Sequence, residues 1–148
     1  MVAIERSITV KAPLDVVYAT WANFQNFPAY TPHVVSVEKL KKRRTRWVVD
    51  VVGYRLQFEA ELDEERPNRM ISWHSVSTIK HFGSTYVLPE AGGTKVTVRL
   101  TVDMESLPAH LVDELNVSWH EFEETFEDAL HSFKRYVEHM WRQVPAAV

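Results

Sequence analysis

The feature that most constrains this chain is one apolar stripe running through Leu107–Arg142. Leu111, Leu115, Trp119, Phe122, Phe126, Ala129, Phe133, Val137 and Met140 follow one another at steps of three or four residues. The opposite side carries Asp113, His120, Glu124, Glu127, His131, Lys134, Arg135 and Glu138. A 3.6-residue period gathers the first set on one face, so the pattern predicts a long amphipathic helix. Ser106 and Pro108 supply a start signal, and Pro145 ends the pattern. A capping box, Ser118-x-x-Glu121, sits beside Val117, which falls on the polar side. A kink or restart is therefore expected near Asn116–Ser118. Such a helix needs a large apolar surface to lie against.

The rest of the chain is written to supply one. Ala3–Lys11 alternates apolar Ile4, Ile8 and Val10 with polar partners and predicts a first strand. Ala12-Pro13 turns it into a short helix, Pro13–Asn23, with proline at the permitted first-turn position. The aromatic, proline-bounded segment 23–32 has room for one further helical turn. From His33 to Met104 the period is two. Strands are expected over Val34–Leu40, Thr45–Val52, Arg55–Glu65, Met70–Ser77, Thr78–Leu88 and Thr94–Met104. The turns between them are Lys41–Arg44, Gly53-Tyr54, Arg66–Arg69 and Pro89–Gly93. Short links between successive strands imply an antiparallel meander with one covered and one solvated face. The long helix is the candidate cover. The expected architecture is α+β, a curved antiparallel sheet of about seven strands around a long C-terminal helix, with two short helices after strand 1. We expect one domain over residues 1–148, a length that supports a sizeable core.

Composition removes several kinds of chemistry. The chain has no cysteine, which excludes a thiol nucleophile, a disulfide framework and cysteine-based metal ligation. Four glycines leave no Gly-rich phosphate loop. A formal charge of −3 argues against general nucleic-acid binding. No apolar run reaches membrane-spanning length, and the N-terminal residues lack a secretory pattern, so a cytoplasmic location is expected. His120 and Glu124 with Glu121 resemble half of a zinc motif, but a zincin needs histidine where Glu124 stands, and the angles put these groups on the solvent face. No metal and no cofactor are expected.

Four phrases carry a resemblance: Phe27-Pro28-x-Tyr30-x-Pro32-His33-Val34-x-Ser36-Val37, Arg66-Pro67-Asn68-Arg69-Met70-Ile71-Ser72-Trp73, Gly92-Gly93-Thr94-Lys95-Val96 and Phe133-Lys134-Arg135-Tyr136-Val137-Glu138. Together with the element order they resemble the polyketide cyclase/dehydrase group of the START-like (Bet v 1-like, SRPBCC) helix-grip superfamily, over essentially the whole chain. The resemblance implies a helix-grip fold in which the long helix stops short of closing onto the sheet. An elongated cavity for lipids, sterols, quinones or polyketides would remain between them. Members of the superfamily include binders, carriers and cyclases, and fold alone does not choose among them.

The inward faces are rich in aromatics: Trp47, Phe58 and Trp73 from strands, and Trp119, Phe122, Phe126 and Phe133 from the helix, with Phe27 and Tyr30 placed for a mouth. Two outcomes stay open, a solid aromatic core or an apolar pocket. Trp73-His74-Ser75 matches the Trp-x-Ser of aromatase/cyclase members, whose pocket has an arginine two residues on; Ser77 stands there instead. Parity from Trp73 puts Ser75 inward. His81 faces inward if Gly83, Thr85 and Val87 do, whereas the other phase puts Phe82 and Tyr86 inside. Arg55, Arg69 and Arg99 offer cations, although alternation sets Arg99 on the outer face. The candidate ligand-contacting set is Phe27, Tyr30, Trp47, Phe58, Trp73, Ser75, His81, Trp119, Phe122 and Phe126. His81, Ser75 and Tyr30 are the candidates for proton transfer. Binder or carrier, cyclase/dehydrase-type enzyme, and interaction protein are the three functional classes carried forward. The last rests on the basic hairpin Lys39, Lys41, Lys42, Arg43, Arg44 and Arg46, which can meet an anionic membrane surface or act as a solvated turn that discourages edge pairing.

Overall fold

The structure, a computed structural model, describes residues 1–142, so Pro145 lies outside the described residues. Strand β1 (Val2–Val10) leads into helix α1 (Leu14–Ala22), a 3-10 turn (Phe24–Asn26) and the single-turn helix α2 (Phe27–Tyr30). Six strands follow: β2 (Val34–Lys41), β3 (Arg44–Val51), β4 (Tyr54–Arg66), β5 (Met70–Ser75), β6 (His81–Glu90) and β7 (Gly93–Val102). A 3-10 turn (Met104–Ser106) precedes helices α3 (Ala109–Val117) and α4 (Trp119–Arg142). The strands form one antiparallel sheet in the order β1-β7-β6-β5-β4-β3-β2. Every hairpin neighbour pairs in the meander that the short links require, and β1 closes onto β7. This is the expected helix-grip arrangement.

Three turns take backbone conformations that their residues explain. At the β3–β4 turn Val52 and Gly53 have φ of 40° and 87°. That makes Val52-Gly53 the central pair, one residue before the expected Gly53-Tyr54, and it forces a β-branched residue into a region it disfavours. Asn68 (φ 63°) serves the β4–β5 turn, and Gly92 (φ 83°) the β6–β7 turn. β5 stops at Ser75 instead of running to Ser77, and β6 starts at His81 rather than Thr78. The cause is local: the Ser75 hydroxyl takes the His81 N–H at 2.9 Å, while Val76 N–H goes to Glu59 O at 2.9 Å. Side chain and β4 replace the ladder between β5 and β6.

The long C-terminal helix is broken in two. Ser118 leaves the helical region (φ −113°, ψ 31°), and its N–H closes α3 on Glu114 O at 2.7 Å. The expected capping box does not form, because the Ser118 hydroxyl donates back to the Glu114 carboxylate at 3.2 Å and not toward Glu121. Ser106 is not the α3 cap either. Its hydroxyl donates to Asp103 O at 2.6 Å and accepts from Lys80 N–H at 2.8 Å, tying the start of β6 to the approach of α3.

Core packing is unequal along α4. Its C-terminal half drives Leu130, Phe133 and Val137 into Val10, Val17, Trp21 and Ile71, with α1 and α2 filling the space between helix and sheet. Leu130, absent from the predicted stripe, is buried alongside Phe133 and Val137. β1 is held to α4 by polar clamps. Arg6 reaches Glu123 (2.5 Å) and Glu127 (2.8 Å), and Lys134 Nζ donates to Thr9 O at 2.8 Å. Glu138 accepts from the Lys11 N–H at 2.7 Å. Around Trp119, Phe122 and Phe126 the packing is looser, and these side chains are only half-buried.

Candidate functional site

At that end the sheet and helices enclose a cavity of about 300 Å³. Its floor is the inner sheet face, where register sets Trp47 opposite Phe58, Leu62 opposite Trp73, and His81 opposite Val102. Its roof is Leu107, Leu111 and Leu115 before and within α3, with Trp119, Phe122 and Phe126 of α4. Phe24 and Phe27 close one end. The rings touch in sequence: Trp21–Phe27 at 5.1 Å, Phe27–Trp47 at 5.4 Å, Trp47–Phe58 at 6.2 Å and Phe58–His81 at 4.6 Å between centroids. A continuous aromatic wall therefore runs from α1 to the start of β6. Both outcomes left open by the sequence occur in one molecule: solid core around Phe133, cavity around Phe122.

Phe27, Trp47, Phe58, Trp73, His81, Trp119, Phe122 and Phe126 all line this cavity. Tyr30 and Ser75 do not. Tyr30 is buried against Phe27, Phe133 and Tyr136 in the solid half, with its hydroxyl unpartnered, and burial raises its pKa far beyond the ordinary tyrosine range. It cannot act as a proton donor to a ligand in the cavity. Ser75 spends its hydroxyl on the His81 backbone, which pins the strand ends rather than facing the pocket. The inward phase of β6 is the one with His81, Gly83, Thr85 and Val87, since Thr85 and Val87 are buried while Phe82, Tyr86 and Leu88 are exposed. Gly83 leaves room for the Trp73 ring, because a Cβ there would lie 2.3 Å from Trp73 Cζ2.

Two imidazoles line the cavity, His33 just before β2 and, on the inner face of β6, His81. Burial lowers its pKa to about 4, against which a bond to the Ile79 backbone acts, with nearby His74 adding to the lowering. It is neutral near pH 7. Among the described residues no lysine or arginine lines the cavity. Two acids border it, and both are paired outward: Asp50 with Arg55 at 3.0 Å, and Glu61 with Arg44 at 3.0 Å. The Thr45 hydroxyl accepts from Trp47 Nε1 at 2.7 Å, and Thr31 donates to Phe27 O. Among the described residues no three acidic or imidazole side chains gather as metal ligands, and the His120–Glu124 pair at 2.9 Å stands on the exposed face of α4.

Residues 10–133 match the family described as polyketide cyclase / dehydrase and lipid transport. The chain belongs to that family. An uncharacterized 17.2 kDa protein of Streptomyces lincolnensis is 26% identical over 93% of this chain and 91% of its own. A crystal structure from Deinococcus radiodurans is 28% identical, with a TM-score of 0.72 over 95% of this chain and 99% of that one. The Zhui aromatase/cyclase from Streptomyces sp. R1128 superposes with a TM-score of 0.77 at 20% identity, covering 98% of this chain and 96% of the other; it shares the fold. Within this polyketide cyclase/dehydrase family chain, Ser77 holds the position for which the resemblance implied an arginine. Its hydroxyl accepts from Glu59 N–H at 3.3 Å, which anchors the β5–β6 link.

The basic hairpin is less basic than its sequence. Arg43 pairs with Glu65 (3.7 Å), Arg44 with Glu61 (3.0 Å), and Arg46 with Glu38 (3.3 Å) and Glu59 (3.9 Å). Antiparallel register puts Glu61 of β4 beside Arg44, and Glu38 of β2 and Glu59 of β4 beside Arg46. No helix among the described residues is long and apolar enough to cross a membrane.

Proposed function

We propose that this chain binds a hydrophobic small molecule of lipid, quinone or polyketide-like chemistry between its sheet and α3–α4, and works as a binder or carrier. The observation behind this reading is the cavity of about 300 Å³ with a nearly continuous apolar lining. That volume sits at the lower end of small-molecule sites. Apolar surface left unfilled inside a fold forfeits dispersion contacts, and an apolar guest restores them. The test is native mass spectrometry of the purified chain, then organic extraction, with uptake of a fluorescent hydrophobic probe as the second readout. A stoichiometric apolar mass or saturable probe uptake is expected. An empty protein that also excludes the probe overturns the reading.

A second reading, a cyclase/dehydrase-type enzyme, is favoured by the placement of the His81 imidazole on the cavity wall, within reach of a bound guest. It predicts that His81→Ala abolishes turnover while ligand binding persists. Equal loss of both returns His81 to packing. A peripheral contact with anionic lipid would rest on Lys39, Lys41 and Lys42, which have no ion-pair partner among the described residues.

A further inference from the structure

Four buried side-chain polar atoms have no hydrogen-bond partner among the described residues: Trp21 Nε1, Tyr30 Oη, Arg46 Nε and Thr85 Oγ1. Tyr30, Arg46 and Thr85 stand away from the cavity lining. Trp21 alone belongs to both sets: its side chain is part of the cavity wall, and its indole N–H is buried and unpaired. A buried donor left unpaired costs free energy, so an orphan of this kind on a cavity wall points to a partner that comes from outside the fold.

Helix α1 holds the indole in place. Trp21 lies one turn on from Val17, and both are buried. The ring stands edge-on to Phe27 at 5.1 Å and to Phe133 at 5.0 Å, and with 7% of the residue exposed it is held away from bulk water. The other polar groups of the wall differ. Trp47 spends its N–H on Thr45 at 2.7 Å, Thr31 donates to Phe27 O, and Trp73 and Trp119 are only half-buried. Asp50 and Glu61 hold Arg55 and Arg44. His33, His81 and Thr125 can each donate or accept, so they favour neither kind of guest group. An indole N–H can only donate.

We infer, on the guest-binding reading above, that Trp21 is a specificity-determining residue of the cavity, whose indole N–H donates to an acceptor oxygen of the ketone or quinone-carbonyl kind on an otherwise apolar guest. Such an oxygen supplies the partner that the fold withholds, whereas a hydrocarbon of the same shape leaves the N–H unpaired.

The experiment sets 2-acetylnaphthalene against 2-isopropenylnaphthalene, which share one shape and differ in C=O against C=CH2. Each competes with N-phenyl-1-naphthylamine, a neutral fluorescent probe, for the full chain at neutral pH. We expect the ketone to bind about tenfold more tightly, the scale of one buried hydrogen bond. In Trp21→Phe, which keeps a flat ring against Phe27 and Phe133, that preference disappears while the hydrocarbon still binds. In nitrogen–proton correlation spectra of the wild-type chain, the Trp21 indole proton moves downfield with the ketone and not with the hydrocarbon. Should the phenylalanine variant fail to fold, that resonance, assigned from backbone connectivities, decides alone. Equal affinities in the wild-type chain, or a bound probe that neither compound displaces, overturn the inference. So does a preference that survives loss of the indole N–H, or an indole proton that ignores the ketone; Trp21 then serves packing. If the fluorescent probe itself is excluded and neither compound binds, the cavity reading fails and this inference with it.

Discussion

Acidification should unload stability through one side chain. His81 titrates near 6.5 when exposed, and burial against Phe58 holds it at about 4 in the folded chain. Above pH 6.5 the imidazole is neutral folded and unfolded, so its contribution to stability is fully present. Between 6.5 and 4 the unfolded chain takes up a proton that the folded chain refuses. Stability therefore falls across that window and levels off below it. At about 1.4 kcal/mol per pH unit the loss is about 2 kcal/mol at pH 5 and approaches about 3 kcal/mol at pH 4. The carboxylates act lower. Asp50 is depressed by its hydrogen bond from Arg55, and Glu61 by its bond from Arg44, so their contributions are lost only as pH falls below the ordinary values of 3.8 and 4.5. Urea unfolding at pH 7.5, 6.0 and 5.0 measures the slope, and the same series on His81→Phe subtracts every other histidine. The wild-type chain should lose about 2 kcal/mol more than the variant between pH 7.5 and 5.0. Parallel curves would refute the reasoning. So would an imidazole resonance of His81 that titrates near 6.5 in the folded protein.

Further outcomes follow from packing and charge. Gly83→Ala drives a methyl group into the Trp73 ring, 2.3 Å from its Cζ2, and should cost about 1–3 kcal/mol by urea unfolding with a changed near-ultraviolet tryptophan signal. Gly93→Ala should cost more, because its Cβ would meet the Val10 carbonyl oxygen at 2.1 Å and backbone cannot yield as a ring can. Glu138→Ala leaves the Lys11 N–H without its acceptor and frees Lys134, and should lower stability by about 1 kcal/mol by denaturant titration. In the hairpin, Arg44→Glu should destabilise by facing Glu61, whereas Lys41→Glu with Lys42→Glu should leave the unfolding midpoint unchanged. If those lysines hold anionic lipid, the double lysine variant alone loses co-sedimentation with phosphatidylserine vesicles.

The architecture was legible because two periods alternate in the chain with little ambiguity. Val96, Val98 and Leu100 against Thr97 and Arg99 admit only a half-buried strand, and every predicted strand has a counterpart within a few residues. The restart of the last helix near Ser118 was also legible, from Val117 on the polar side; Val117 is 85% exposed. Its chemistry was not. A Ser-x-x-Glu pattern signals a capping box when the serine begins a helix, but here Ser118 also ends one, and the carboxylate of Glu114 on the preceding turn reaches it first. Likewise, alternation read through Ser75–Thr78 could not register that a serine hydroxyl satisfies the His81 N–H as well as a strand partner would.

The site was legible where regular elements carry it and lost where irregular ones do. Trp47, Phe58 and Trp73 follow from strand parity, and Trp119, Phe122 and Phe126 from the helical stripe, so their side chains meet at the cavity. Phe24, Ile79 and Leu107 also line it, yet they stand in a 3-10 turn and two links where no period fixes direction. Tyr30 failed for a related reason: on a single-turn helix one residue of rotation moves a side chain from the mouth to the solid core beside Phe133. The break at Ser118 falls within the cavity roof, between Leu115 of α3 and Trp119 of α4. Leu111 and Leu115 are buried and line the cavity from α3. Polar alternatives at Ser118 that restore helical continuity, such as Ser118→Gln, should therefore change cavity volume and hydrophobic-probe uptake before they change the solid half around Phe133. Uptake unchanged in a Ser118→Gln chain that keeps its full helicity would show that the roof is set by Leu111 and Leu115 alone.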